Sequence, residues 1–87
     1  MLFPMGRLLA TPGVLETVSR DEIFIALGRH LKGDWGDVSN TDKRSNNESL
    51  KDGSRLLSVY HAQDDLTFWI ITEADRSATT VLLPSEY

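Results

Sequence analysis

"RLLSVYHAQDDLTFWIITEADRSATTVLL", residues 55–83, decides the fold. Three runs rich in β-branched, aromatic and leucine residues, Arg55 to Ala62, Leu66 to Glu73 and Ala78 to Leu83, are separated by the short polar turns "QDD" and "ADRS". That pattern predicts three strands in an antiparallel meander. In the first, Leu57, Val59 and His61 alternate with Leu56, Ser58 and Tyr60. In the second, Leu66, Phe68 and Ile70 alternate with Thr67, Trp69 and Ile71, so both faces are apolar, as a central strand requires. Pro84 ends the third.

Upstream the period changes from two to between three and four. Ser19-Arg20-Asp21-Glu22 is a capping box, and Ile23, Ala26, Leu27, His30 and Leu31 recur at helical spacing before Gly33. This predicts a helix over 21–32. "TPG" at 11–13 places a capping Thr before a Pro at a first helical position, which predicts a short helical turn over 12–18. "VSNTDKRSNNESLKDG", 38–53, has caps at both ends but only Val38 and Leu50 as apolar residues, so it is expected as a mostly solvated helix held by its ends or as a loop. Asn46 and Asn47 lie one turn before Leu50, within reach of the "GDWGD" backbone. "GRLLA" at the start adds a short N-terminal strand. Helical signals in front and strand signals behind give an α+β class: two or three helices on a three- to four-stranded antiparallel sheet.

Eighty-seven residues, 40% hydrophobic and 25% charged, suit a single domain over 1–87. The absence of cysteine excludes disulfides, thiol nucleophiles and Cys-based metal centres. Nine Lys and Arg against thirteen Asp and Glu leave a net charge of −4, with the basic residues scattered, which argues against a free nucleic-acid partner. "MLFPMGRLLA" does not have the form of a signal peptide, and no apolar run approaches the ~20 residues of a membrane span. A cytoplasmic protein with no membrane partner and no cofactor is expected.

Two acidic spots are candidates for chemistry. In "GDWGD", Asp34 and Asp37 flank Trp35, and His30 lies four residues before Asp34. The set can be read as a cation or water-activating site, or as a turn in which glycines adopt left-handed angles and aspartates bond to nearby amides. The residue types favour the turn, with Trp35 as either a core plug or an exposed anchor. In "TEADRS", Glu73, Asp75 and Arg76 can position a metal or phosphate, yet a strand-to-strand turn demands such residues anyway. His30 and His61 are expected as half-buried side chains with one hydrogen bond each. There is no G-x-S-x-G, no phosphate loop and no H-E-x-x-H.

"LLATPGVLE" (8–16), "RHLKGDWGDV" (29–38), "RLLSVY" (55–60) and "WIITEADRSATTVLLPSEY" (69–87) together cover more than half the chain. With these segments in this order, the chain resembles a family of small bacterial "plasmid-related" proteins. They are common in genomes and on mobile elements, and some carry a label of type I restriction enzyme subunit that so small a domain does not justify. Members tend to have a glycine pair before the first meander strand, where this chain has Asp52-Gly53-Ser54. The resemblance implies a bacterial or mobile-element protein without an accepted activity, and by analogy an anti-defence role in which carboxylates mimic phosphates.

The leading expectation is therefore a non-enzymatic module that binds another protein through Asp34, Trp35, Asp37, Glu73, Asp75 and Arg76. A metal-dependent hydrolase using His30, Asp34, Asp37 and Glu73 is the first alternative. The second is a self-associating homodimer joined along an exposed strand edge such as Ala78 to Leu83.

Overall fold

The computed structural model describes residues 1–87. The elements are β1 (Arg7–Ala10), α1 (Pro12–Thr17), α2 (Arg20–Leu31), α3 (Asn40–Asp52), β2 (Leu56–His61), β3 (Thr67–Thr72) and β4 (Ala78–Leu82), with 3-10 turns at Gln63–Asp65 and Pro84–Glu86. The class is α+β. The sheet order is β1-β4-β3-β2: β2, β3 and β4 form the antiparallel meander, and β1 joins β4 in parallel. The expectation of a purely antiparallel sheet is corrected here. Three helices and two strands intervene between β1 and β4, and that long connection permits a parallel pairing that a hairpin turn cannot make.

Only the first half of the capping box forms: the Ser19 hydroxyl accepts the Glu22 amide at 3.2 Å and starts α2. Its second half is redirected. The Glu22 carboxylate accepts the Gln63 amide at 2.9 Å and so ties the helix start to the β2–β3 turn. Val14 and Val18 of the α1 segment and Ile23, Ala26 and Leu27 of α2 pack on Tyr60, Phe68, Ile70 and Val81 from one face of the sheet. A smaller cluster of Phe3, Trp35 and Leu56, flanked by Leu31, Val38 and Leu50, joins the N-terminus and α3 to the β2 side.

Between these clusters runs a buried polar chain. His30, fully buried, lies with Nδ1 2.5 Å from the Ser58 hydroxyl and Nε2 2.9 Å from that of Thr72. Thr72 and Thr79 hydroxyls are 2.8 Å apart, and Thr79 donates to the Met5 carbonyl at 2.7 Å. Because a carbonyl can only accept, Thr79 takes its bond from Thr72 and Thr72 takes its bond from Nε2–H; burial disfavours a second proton on the ring, so Nδ1 accepts from Ser58. The histidine is thereby held neutral in one tautomer, more deeply buried and doubly bonded rather than half-buried with one bond.

The outer edge of β2 is closed. Asn46 of α3 donates to the Leu57 carbonyl at 2.7 Å and accepts the Leu57 amide at 3.1 Å, as a neighbouring strand would. One step on, the Val59 amide bonds to the Trp35 carbonyl at 3.0 Å and the Val59 carbonyl to the Asp37 amide at 2.8 Å. Asn46→Ala leaves both Leu57 groups without partners in a largely buried setting and is expected to cost about 2 kcal/mol in urea unfolding. A change below about 0.5 kcal/mol, the scale of an ordinary surface substitution, would show the clamp to be idle.

Candidate functional site

The "GDWGD" segment is lashed down at every residue that sequence made a candidate. The Asp34 carboxylate pairs with Arg29 through Nε at 2.7 Å and Nη2 at 3.3 Å, and accepts the Gly36 amide at 3.2 Å. The Arg29 bond, with help from Gly36, holds this carboxyl below its ordinary range. The Tyr60 hydroxyl donates to the Asp34 carbonyl at 2.6 Å, and burial pushes the phenol up to about 12. Trp35 is 2% exposed, lies between Phe3 and His30, and donates its indole N–H to Asn47 Oδ1 at 3.0 Å. It is therefore a core plug and unavailable as a surface anchor.

Asp37 Oδ2 lies 2.9 Å from His61 Nε2, and His61 Nδ1 lies 3.1 Å from the Thr67 hydroxyl. An Asp–His–hydroxyl series is the form of a nucleophile relay. Here all three groups are on the surface, where water screens the carboxylate, and the series serves to fasten the turn to the exposed end of the β2–β3 pair. Asp34→Asn combined with Asp37→Asn is expected to leave the protein folded, with a loss under about 1 kcal/mol. Exposed pairs contribute little, and the side-chain amide oxygen introduced at position 34 still accepts the Gly36 N–H. Thermal unfolding of the double variant checks this.

The second acidic spot is elsewhere. Thr67 pairs with His61 at one end of the β2–β3 ladder and Thr72 with Leu56 at the other, so Glu73 and Asp37 are separated by about 17 Å of strand. Asp75 accepts the Ser77 amide at 3.0 Å, and hydrogen bonds from Ser77 hold its carboxyl low. Arg76, at a φ of 62°, turns its guanidinium onto four carbonyls: Ser54 at 2.7 Å, Ser49 at 2.8 Å, and Glu73 and Ala74 at 3.1 Å. It staples the end of α3 to the β3–β4 turn. The alternative metal set is corrected in the same way: both ring nitrogens of His30 are engaged, and no three His, Asp or Glu side chains gather closely enough to hold an ion.

What sequence analysis did not single out is the β1 edge. The amides of Arg7 and Thr11 bond to Ser77 and Val81 on β4, each at 3.0 Å. By strand alternation Leu8 and Ala10 turn their N–H and C=O groups away from the sheet, and these groups have no backbone partner. Apolar side chains surround them: Leu8 is 39% exposed, Leu9 41%, Leu15 53% and Phe24 60%. Leu8, Leu15, Ile23 and Phe24 line a groove of about 260 Å³ alongside the strand. No Pro, Lys or bulge interrupts Leu8 to Ala10, and the edge is limited instead by its four-residue length and by Arg7 at its start. The strand proposed from sequence as the free edge, Ala78 to Leu83, lies instead between β1 and β3. The signal available was the pair Leu8-Leu9, apolar on both faces of a strand too short to be central.

No helix is long and apolar enough to cross a membrane. Compared with family models, with curated proteins and with solved structures, the chain matches none of them.

Proposed function

We propose that the protein is a non-enzymatic interaction module that takes up an extended segment of another polypeptide by strand addition along β1. The observation that carries this reading is the contrast between the two edges of one sheet. Asn46 and the Gly36 bridge occupy the outward positions of β2, while Leu8 and Ala10 on β1 offer two donors and two acceptors flanked by exposed leucines. Main-chain bonds along such an edge supply affinity and the flanking groove supplies specificity. The acidic patch expected from sequence gives less support: Asp34 is paired with Arg29, Asp37 with His61, and Asp75 closes its own turn.

The test uses the full chain as bait in nuclease-treated bacterial lysate, beside Ala10→Pro. That substitution removes an outward N–H and leaves the β1–β4 ladder intact. A protein held by wild type and lost by Ala10→Pro supports strand addition, and one held equally by both contradicts it.

A further inference from the structure

The strand-addition reading leaves open what occupies β1. We propose that it is a second copy of this chain, paired antiparallel about a two-fold axis through Leu9, with Leu8 of each copy opposite Ala10 of the other. The inference rests on that reading and adds the occupant and the register.

The register follows from which groups are free. Leu8 and Ala10 carry the outward N–H and C=O groups, so opposing 8 to 10 makes two hydrogen-bonded pairs and four main-chain bonds. Leu9 then meets Leu9 of the second copy in the closer, non-hydrogen-bonded position on the axis. Arg7 falls opposite Thr11, whose hydroxyl donates to the Glu86 carboxylate at 2.5 Å. Arg7 makes no ion pair within its own chain. The seam thus sets an unpaired cation beside a carboxylate fixed by Thr11 and by the Gly13 amide, once on each side of the axis. On the helix face, Leu15 and Phe24 of both copies flank the join and cover the groove. This is the isologous contact that a two-fold dimer requires, each patch meeting itself.

The closed β2 edge sets the size of the assembly. Joining two copies gives an eight-stranded sheet ordered β2-β3-β4-β1-β1-β4-β3-β2, whose outer edges are both the strand occupied by Asn46 and the Gly36 bridge. Growth stops at two because no open edge remains.

Sedimentation equilibrium from micromolar to millimolar protein tests this, with Leu9→Lys, Leu9→Glu and Ala10→Pro alongside and circular dichroism confirming the fold of each. Wild type is expected to pass from one to two chains and no further. Leu9→Lys and Leu9→Glu each lose the doubling through like charges on the axis, and an equimolar mixture of the two regains it. Ala10→Pro loses it outright. A wild type that stays a single chain throughout overturns self-pairing; strand addition then survives only if the lysate partner is lost with Ala10→Pro. A doubling that persists in all three variants places the contact on another face and overturns self-pairing along β1, while strand addition is then decided by the lysate comparison alone.

Discussion

Gly36→Ala is expected to remove most of the protein's stability. Gly36 has a φ of +72°, and a Cβ there would lie 2.0 Å from the Val59 carbonyl oxygen and 2.8 Å from the Tyr60 ring. The left-handed conformation alone costs an alanine about 1–2 kcal/mol. The clash is larger, because its partner is the backbone of β2 at the bridge that closes that edge. Relief requires the "GDWGD" segment to leave Val59, which uncovers Trp35 and breaks the Tyr60 hydroxyl bond to Asp34. A total above about 4 kcal/mol follows, a large part of the ~4–13 kcal/mol available to a domain of this length. Gly28 in α2 is the internal control. A Cβ at that position meets nothing within 4 Å, and Gly28→Ala is expected to raise stability by about 0.5–1 kcal/mol through helix propensity. Urea unfolding of the two variants should move in opposite directions. A Gly36→Ala protein within about 1 kcal/mol of wild type would show that the bridge does not hold the segment.

The second large effect is acid sensitivity from His30. Burial lowers its pKa from 6.5 to about 4, and the groups facing the ring, Ser58, Thr72, Phe3 and Trp35, include no carboxylate to hold a proton. The unfolded chain therefore binds a proton below pH 6.5 that the folded chain refuses until about pH 4. Stability is whole above 6.5, falls with pH through that window, and levels off below it, for a total of about 3 kcal/mol. Asp34 and Glu86 act in a separate range. Their carboxyls are held low by Arg29 and by Thr11 respectively, so they favour the fold above ordinary carboxyl values and withdraw that support only at lower pH. Urea unfolding at closely spaced pH values separates the two. His30→Gln, which keeps one donor and one acceptor, should be less stable at neutral pH yet nearly flat from pH 6.5 to 4. Equal slopes in the two proteins would show that His30 is not the source of the acid sensitivity.

Local features of the fold were legible in the sequence, and long-range placement was less so. The start of α2 at its Ser19 cap and the three strands lie within a residue or two of expectation, because helical and strand periods are written in consecutive side chains. Even α3, with its thin apolar face, forms: its function is to carry Asn46 to the β2 edge and Asn47 to Trp35, and short amides do that without burying much surface. "GDWGD" is a turn, as its glycines and aspartates favour. Nothing in "RLLA", by contrast, states that it pairs parallel to β4, since direction depends on the path of the intervening chain. Arg76 looks like a surface charge in "ADRS" and becomes a staple only because α3 ends beside it. His30 shares its apolar helix face with Ile23 and Leu27, but its partners Ser58 and Thr72 are 28 and 42 residues away. The β1 edge escaped for the same reason: an edge is defined by what does not come next to it.

On the proposed function, β1 is an open edge that another strand fills. Amide hydrogen exchange resolved at Leu8, Leu9 and Ala10 tests it most directly, because in a single chain only the Leu9 amide of the three points at β4. Fast exchange at Leu8 and Ala10 and protection at Leu9 are expected in dilute protein, with Leu8 and Ala10 becoming protected together as concentration rises. Fast exchange of both at every concentration, and after addition of any partner captured from lysate, would contradict the claim.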